Sequence, residues 1–163
     1  MLASAYTTLA SGGIYRPPHA IRKVVLGGRV YPWRVQSYWV LPPGVAWTVT
    51  KVLEANVREG TGVAAQIPAQ HVAGRTGTTT SWTDAWFAGY TPRMTTITWV
   101  GYPLRPRSMS NVHGIQVTGG TFPARIWHAY TAQTLGHIRP ESFRHGGWLL
   151  RPYHGPRSMK RPP

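Results

Sequence analysis

The stretch from Ala73 to Thr91, AGRTGTTTSWTDAWFAGYT, constrains the fold of this 163-residue chain more than any other. Its first part has little side-chain bulk, with a glycine on each side of Arg75 and Thr76, so a ligand backbone can approach the main chain closely. One arginine and several hydroxyl groups on a short segment suit a bound carboxylate. A second strand pattern follows after a short polar connection, which is typical of a hairpin.

The same run resembles the Lys-Thr-Gly strand of the penicillin-binding protein transpeptidases, the serine acyl-transfer family that includes the serine β-lactamases. The match covers about residues 2 to 135 in the family's own order. It includes a helix that enters a glycine turn, a Glu-Gly-Thr-Gly corner like that of the bifunctional class A members, an Asp-Ala-Trp-Phe strand and a Thr-Gly-Gly turn before a final helix. These stretches are residues 2–13, 59–62, 84–92 and 118–127.

The resemblance implies substrate-binding roles for Arg75, Thr76, Gly77 and Thr78. In the family this strand lines the active-site cleft, and a D-Ala-D-Ala peptide or a β-lactam lies beside it as an added strand. Arg75 stands where the family has lysine and would orient the ligand carboxylate, although an arginine cannot deliver a proton. Thr76 and Thr78 would add hydroxyl donors, Gly77 would keep the approach open, and the Thr78 N–H would supply half of an oxyanion hole. Threonines also favour strands for steric reasons alone.

The family's catalytic patterns are absent from these 163 residues. Neither Ser-x-x-Lys, which carries the nucleophile, nor Ser-x-Asn, which carries the proton relay, occurs. The nearest pattern, Thr48-Val49-Thr50-Lys51, lies on a predicted helix at the wrong place in the motif order. Asn56 and Asn111 have no serine two positions before them. We therefore expect no catalytic residue here, and we interpret the chain as the C-terminal part of a D,D-transpeptidase domain that is inactive alone.

The resemblance implies an α+β fold, part of the penicillin-binding protein and serine β-lactamase-like fold, and the pattern of glycines, prolines and apolar residues predicts where its strands and helices lie. Three antiparallel strands backed by a C-terminal helix form its centre. In the family the sheet continues beyond the last of these strands with strands from the start of the domain, so the resemblance implies an unpaired edge here, and such an edge favours self-association. The basic, Pro/Gly-rich residues 136–163 are expected to be a separate flexible tail after the domain of residues 1–135. The predicted strands are 21–26, 29–35, 71–77, 84–91 and 94–101; the predicted helices begin near 2, 45 and 123, and residues 103–120 form a loop.

The charge of the chain leaves a second function class open. Eighteen Lys and Arg against four Asp and Glu give a net charge of +14, which is typical of proteins that bind nucleic acid or another polyanion. The cations are spread along the chain, and no RNA-binding motif is present, so an anionic cell wall or lipid headgroups are the favoured polyanions. A basic binding module without catalysis stays as the alternative, and a degraded reading frame with no function of its own is a third possibility.

Cysteine and histidine patterns indicate neither a metal nor a cofactor. The chain has no cysteine, so disulfides and thiolate metal sites are excluded. The spacing of His137, His145 and His154 matches no compact ligand set. No apolar run approaches the roughly 20 residues of a membrane helix, and the N-terminus lacks the pattern of a secretory signal. An export signal or anchor is therefore expected in a longer, extracytoplasmic and membrane-anchored parent.

Overall fold

Residues 1–146 are described by the structure, a computed structural model. In these residues, three α-helices and seven strands alternate with loops, and short 3-10 turns follow the second helix and the fifth strand. In chain order they are α1 (Leu2–Ala10), β1 (Ile14–Tyr15), β2 (Lys23–Leu26), β3 (Arg29–Pro32), β4 (Tyr38–Trp39), α2 (Pro43–Glu59), β5 (Ala73–Thr78), β6 (Asp84–Tyr90), β7 (Thr95–Gly101) and α3 (Phe122–Leu135).

The central sheet has the order β5-β6-β7 and is antiparallel throughout. Arg75 lies opposite Ala88, which in turn lies opposite Ile97. This confirms the three predicted strands, with ends shifted by one or two residues. Among the described residues β7 is an edge strand, as expected from the sequence; self-association through that edge stays a prediction.

One face of the sheet packs against α3 through large aromatic side chains. Phe87 of β6 and Trp127 of α3 are fully buried, and their rings meet edge to face with centroids 5.4 Å apart. The indole Nε1 of Trp127 donates a hydrogen bond to the Thr96 carbonyl at 3.1 Å. Gly89 permits this close approach, because a Cβ there would lie 2.6 Å from a Trp127 ring atom. The C-terminal helix therefore backs the sheet as predicted.

The opposite face of the sheet packs against α1 and α2 at the end that carries Tyr90. Tyr90 is fully buried, and its ring contacts Tyr6 of α1 and Phe143. Its hydroxyl lies 2.9 Å from the Thr50 hydroxyl of α2. Burial raises the pKa of the Tyr90 hydroxyl well above its ordinary value, and the hydrogen bond from Thr50 opposes that rise. A polar pair is thus held inside an otherwise apolar cluster.

The first helix ends at the predicted pair of glycines, both with positive φ. Gly13 is required by packing as well as by backbone conformation, since a Cβ there would lie 2.2 Å from the Leu41 carbonyl oxygen. The Gly13 carbonyl accepts hydrogen bonds from the N–H groups of Val40 and Leu41. This contact brings β4 beside β1. The sequence analysis did not predict β4, which is only two residues long.

The segment after α3 packs on the domain as far as it is described. Phe143 is buried in the cluster around Tyr90, Glu141 forms an ion pair with Arg93, and the His145 ring lies 4.7 Å from the Trp47 ring. Residues 136–146 therefore differ from the expected separate tail, because one buried aromatic side chain is enough to anchor a short segment. A domain boundary at Leu135 stays a prediction, and residues 147–163 lie outside the described residues.

None of the helices within residues 1–146 has the length and apolar character needed to cross a bilayer.

Candidate functional site

Helix α2 covers only the first half of the outer edge of β5. The side-chain amide of Asn56 donates a hydrogen bond to the Gly74 carbonyl at 2.8 Å. Backbone groups of alternate residues in an antiparallel strand point to the same side. The carbonyl of Gly74 faces away from β6, so the backbone groups of Thr76 and Thr78 face away from β6 as well. The N–H of Thr79, in the other set, donates to the Asp84 carbonyl at 3.0 Å.

The second half of the β5 edge is free in the described part of the chain. Helix α2 ends at Glu59, and no residue of the range 1–146 makes a hydrogen bond to the backbone of Thr76 or Thr78 from the outer side. An extended ligand can therefore add to β5 at these two residues as a further antiparallel or parallel strand.

The hydroxyl of Thr76 is already used by a network at the end of α2. It lies 2.8 Å from the Thr61 hydroxyl, which itself donates to Asn56 Oδ1 at 3.1 Å. A hydroxyl has one proton, so Thr76 is the donor to Thr61. Asn56 Oδ1 also accepts from the Thr61 N–H, which fixes the corner after α2. The sequence analysis expected a free donor at Thr76, whereas this arrangement uses that donor internally.

Thr78 keeps its hydroxyl proton available. The N–H of Gly119 donates to Thr78 Oγ1 at 3.1 Å, so the oxygen acts as acceptor and its own proton can bond elsewhere. The backbone of Gly119 packs directly on the β5–β6 hairpin and leaves no room for a side chain. A Cβ at this position would lie 2.2 Å from the Trp86 carbonyl oxygen and 2.7 Å from the Gly77 nitrogen. The Thr-Gly-Gly turn before α3 therefore supports β5 where its edge is free.

Arg75 projects from the face of β5 opposite to Thr76 and Thr78. Its side chain is exposed and forms no ion pair or hydrogen bond with any residue of the range 1–146. Its neighbour across the sheet is the small Ala88, so the long side chain is free to bend toward the strand edge. Gly77 is not demanded by packing, since a Cβ there would meet only Trp86 Cβ at an ordinary 3.5 Å.

Two clefts among the described residues do not include this edge. One, of about 590 Å³, lies beside α2 and is lined by Glu54, His71 and His128 among others. The other, of about 570 Å³, lies between α1 and Arg93. Neither touches residues 75–78. We favour the edge over the clefts, because it combines a free cation, a free hydroxyl proton and unpaired backbone groups.

Thr48 and Lys51, which come nearest to the family's nucleophile pattern, make interactions that are typical of a helix. The Thr48 hydroxyl donates to the Gly44 carbonyl at 2.8 Å, and Lys51 pairs with Glu54 at 2.7 Å. No hydrogen bond joins the side chains of Thr48 and Lys51 in the described part of the chain. Residues 1–146 also contain no group of three or more side chains arranged to hold a metal ion. Of the three histidines considered above, His154 lies outside the described residues.

The chain matches the family model described as "Penicillin binding protein transpeptidase domain" over residues 1–108. The chain belongs to this family. Penicillin-binding protein 1A of Mycobacterium tuberculosis is 33% identical over 151 residues, 87% of this chain and 18% of the relative. Penicillin-binding protein 4 of Bacillus subtilis is 34% identical over 131 residues, 79% of this chain and 21% of the relative.

A solved structure supports the same assignment. A penicillin-binding protein from Mycobacterium tuberculosis, in complex with penicillin V, has a TM-score of 0.77 and 30% identity, and the match covers 93% of this chain and 43% of that one. The sequence given thus spans about a fifth of the length of these curated relatives and less than half of the solved chain. The family and the α+β fold class predicted from the sequence are confirmed, and these relatives give no support to a nucleic-acid-binding module.

Two residues that position the site were not singled out by the sequence analysis. Asn56 was considered only as a relay candidate, although it joins α2 to Gly74 and to the following corner. Gly119 was considered only as part of a family pattern. The usable signal for Asn56 was its place near the C-terminal end of a helix, just before a Gly-Thr-Gly sequence whose N–H groups need acceptors.

Proposed function

We propose that the free edge of β5, from Arg75 to Thr78, binds the C-terminal end of a peptidoglycan stem peptide or a β-lactam within a D,D-transpeptidase domain. The observation that carries this proposal is the half-covered edge: α2 occupies Gly74 through Asn56 and leaves Thr76 and Thr78 open. A D-Ala-D-Ala end offers what such an edge needs, namely extended backbone groups followed by a carboxylate.

The backbone of the ligand pairs with β5. Thr76 and Thr78 offer N–H and C=O groups on the outer side, so a bound peptide extends the sheet by one strand. The Thr78 N–H supplies one of the two donors of an oxyanion hole, where it stabilises the negative oxygen of a tetrahedral intermediate. Gly77 leaves the approach open, since no side chain stands beside the ligand at that position.

The carboxylate of the ligand is held by Arg75 and Thr78. A guanidinium group binds a carboxylate through two parallel hydrogen bonds, which also fixes its orientation. The free proton of the Thr78 hydroxyl adds a third bond. Thr76 contributes less in this arrangement, because its proton is committed to Thr61 until the network rearranges. Arg75 acts only through its charge and its donors, since it stays protonated and cannot relay a proton.

The acylation step requires a nucleophile that these 163 residues do not contain in the family's pattern. The proposed role of this chain is therefore to bind and orient the ligand, while the serine and its lysine belong to another part of a complete domain. We place that domain outside the cytoplasm, in a membrane-anchored protein that cross-links peptidoglycan. The relative solved with penicillin V supports the choice of ligand class.

A titration followed by nuclear magnetic resonance tests the binding edge in the chain itself. The 15N-labelled chain is titrated with a peptide that ends in D-Ala-D-Ala, and with the same peptide carrying a C-terminal amide. We expect amide shifts centred on residues 75–78 with the free carboxylate only. Thr78→Val should weaken binding several-fold, whereas Thr80→Val in the hairpin turn should not. Shifts confined to the cleft beside α2, or equal shifts with the amide, contradict the proposal.

Intact-mass measurement separates binding from chemistry. After incubation with penicillin, the chain should show no covalent adduct, because an acyl-enzyme needs an activated nucleophile. Replacement of both Thr48 and Lys51 by alanine tests whether this pair, the nearest match to the family's nucleophile pattern, is responsible for any adduct. A stoichiometric adduct that disappears in this variant would overturn the assignment of the nucleophile to another part of the domain.

A further inference from the structure

The hairpin formed by β2 and β3 is apolar and exposed on both of its faces. Residues Gly27 and Gly28 connect the strands with φ of 55° and 76°, as a two-residue hairpin turn requires. No other element of residues 1–146 packs extensively against the two strands. Eight apolar side chains in and beside the hairpin are more than a third exposed: Ile21, Val24, Val25, Leu26, Val30, Tyr31, Trp33 and Val35.

This exposure differs from the pattern of an ordinary surface hairpin. Antiparallel strands at a protein surface usually alternate, with one apolar face packed and one polar face in water. Here Val24 pairs with Tyr31 on one face and Val25 pairs with Val30 on the other. Leu26, beside the turn, is 70% exposed. Both faces expose apolar side chains, and the charged residues of the two strands are the cations Lys23 and Arg29, so neither face is the polar, water-facing side of an ordinary hairpin.

The hairpin is also strongly cationic. No Asp or Glu occurs before Glu54 in the chain. None of the five cations in and near the hairpin has an ion-pair partner among residues 1–146. They are Arg16, Arg22, Lys23, Arg29 and Arg34. A partner that complements this surface must therefore offer negative charge at its surface and apolar groups just below.

We propose that the β2–β3 hairpin docks on an anionic lipid bilayer. Anionic headgroups attract Arg22, Lys23 and Arg34 at its base, and the apolar side chains near the tip enter the region between headgroups and acyl chains. Trp33 and Tyr31 are the residue types that favour this boundary. A second copy of the chain is disfavoured as the occupant, because two copies would bring five unpaired cations against five others. The proposal concerns a surface separate from β5 and does not depend on the carboxylate site.

The dimensions of the hairpin fit shallow insertion. From Lys23 to Leu26 the strand advances about 10 Å, at about 3.3 Å per residue, and interfacial segments reach about 5–10 Å into the boundary. Arg29 lies beside Leu26 at the turn. In the proposed arrangement its long side chain extends away from the acyl chains, so that its guanidinium group stays at the lipid phosphates. The outer backbone groups of a two-stranded hairpin have no partners, which excludes deeper insertion into hydrocarbon.

Vesicle flotation tests the choice of partner with the whole chain. Vesicles of phosphatidylcholine with about a third phosphatidylglycerol should carry the chain upward, and vesicles of phosphatidylcholine alone should not. Arg22→Gln with Lys23→Gln should weaken binding about 25-fold, because each cation near an anionic membrane surface raises the affinity about fivefold. Leu26→Ser with Val25→Ser should weaken it about tenfold or more, since their apolar area no longer leaves water. Circular dichroism checks that each variant is folded.

A labelling experiment locates the contact independently of any loss of binding. The chain has no cysteine, so Leu26→Cys provides one site for an environment-sensitive dye. Leu104→Cys is the matched control, because Leu104 is 94% exposed and also stands beside an arginine. Anionic vesicles should shift the emission of the dye to the blue at position 26 only. Equal shifts at both positions, or no shift at 26 while the chain floats, overturn the proposal.

Two further outcomes also overturn it. Equal flotation with and without phosphatidylglycerol would show that charge does not select the partner. Concentration-dependent association in sedimentation that disappears in the Val25 and Leu26 variant, without vesicle binding by the wild type, would assign the hairpin to contact between copies of the chain.

Discussion

The two hairpins of this chain, β2–β3 and β5–β6, show that the apolar content of a strand does not decide its burial. Apart from Arg75, strand β5 consists of small and hydroxylated residues, yet it joins a sheet whose Phe87 and Tyr90 are fully buried. Strands β2 and β3 are richer in valine, yet Val25 is 58% exposed and Leu26 70%. The difference lies in the neighbours: three helices contact the central sheet, whereas none packs extensively on the first hairpin.

The comparison also separates two kinds of free surface. The edge of β5 has free backbone groups and is polar, so the ligand that we propose for it would be selected by directed hydrogen bonds. The β2–β3 hairpin is free in its side chains and is apolar and cationic, so it suits a broad surface with no fixed geometry. The two proposed binding surfaces of this chain would therefore depend on different interactions.

The largest expected difference between the two regions is in stability. Trp127→Ala should lower the free energy of unfolding by about 3–5 kcal/mol, because it removes a fully buried ring that packs on Phe87 and donates to Thr96. Val25→Ala in the exposed hairpin should change it by less than about 0.5 kcal/mol. Urea unfolding measures both. Comparable losses would show that the hairpin is packed in solution and break the comparison.

A smaller loss is expected at the turn that supports β5. Gly119→Ala should lower the free energy of unfolding by about 1–3 kcal/mol, because its Cβ would lie 2.2 Å from the Trp86 carbonyl oxygen and the hairpin must shift. Gly77→Ala is the matched control, because Gly77 packs against Gly119 but a Cβ at position 77 would lie at an ordinary 3.5 Å from Trp86 Cβ. Thermal unfolding of the two variants, together with amide shifts along β5, checks this. An unperturbed β5 in Gly119→Ala would contradict the supporting role.

The smallest expected effect concerns the buried pair of Tyr90 and Thr50. Tyr90→Phe should cost about 1 kcal/mol near neutral pH, since it removes the hydrogen bond and leaves the Thr50 hydroxyl without it. Thr50→Val, which removes the other partner of the same bond, should cost a similar amount.

The same tyrosine gives a test in alkaline solution. Burial raises the pKa of Tyr90 in the folded state, so its contribution to stability is fully present below the ordinary tyrosine pKa of about 10 and is lost as the pH rises above it. Tyr90→Phe should therefore flatten the alkaline fall in the free energy of unfolding. Tyr102→Phe, at an exposed tyrosine, should leave it unchanged. Equal slopes in wild type and Tyr90→Phe would show that Tyr90 is not buried in its neutral form.

The strands and helices of the centre were predictable because their signals are local. Small and hydroxylated residues around Arg75 indicate β5, and aromatic and small residues indicate β6. Proline lies in the first turn of α2 and of α3, where a missing N–H costs nothing. The two-residue strands β1 and β4 could not be predicted from local signals. Their pairing depends on the Gly13 carbonyl, which reaches Val40 across 27 positions and leaves no local pattern.

The sequence proposed the residues of the candidate site, whose binding role stays a prediction, but it did not predict which residues contact them. Residues 75–78 follow from the tripeptide pattern and its glycines. The use of the Thr76 hydroxyl by Thr61, and of the Thr78 hydroxyl by Gly119, joins residues 15 and 41 positions apart. Such contacts depend on how α2 and the turn before α3 pack against β5. The periodicity of the sequence does not predict that packing. The packing of Phe143 on Tyr90 is of the same kind.

The central claim, that Arg75 holds the ligand carboxylate at the edge of β5, is tested most directly by acylation kinetics in a chimera. The transpeptidase domain of the Mycobacterium tuberculosis relative, solved with penicillin V, supplies the nucleophile, and residues 1–146 of this chain replace their counterparts. Arg75→Ala should lower the second-order rate of acylation by penicillin about 30- to 150-fold, equivalent to the roughly 2–3 kcal/mol of a charged hydrogen bond. Arg75→Lys should retain most of the rate, and Arg58→Ala, at an exposed arginine on α2, should retain all of it. Equal rates for wild type and Arg75→Ala would contradict the account.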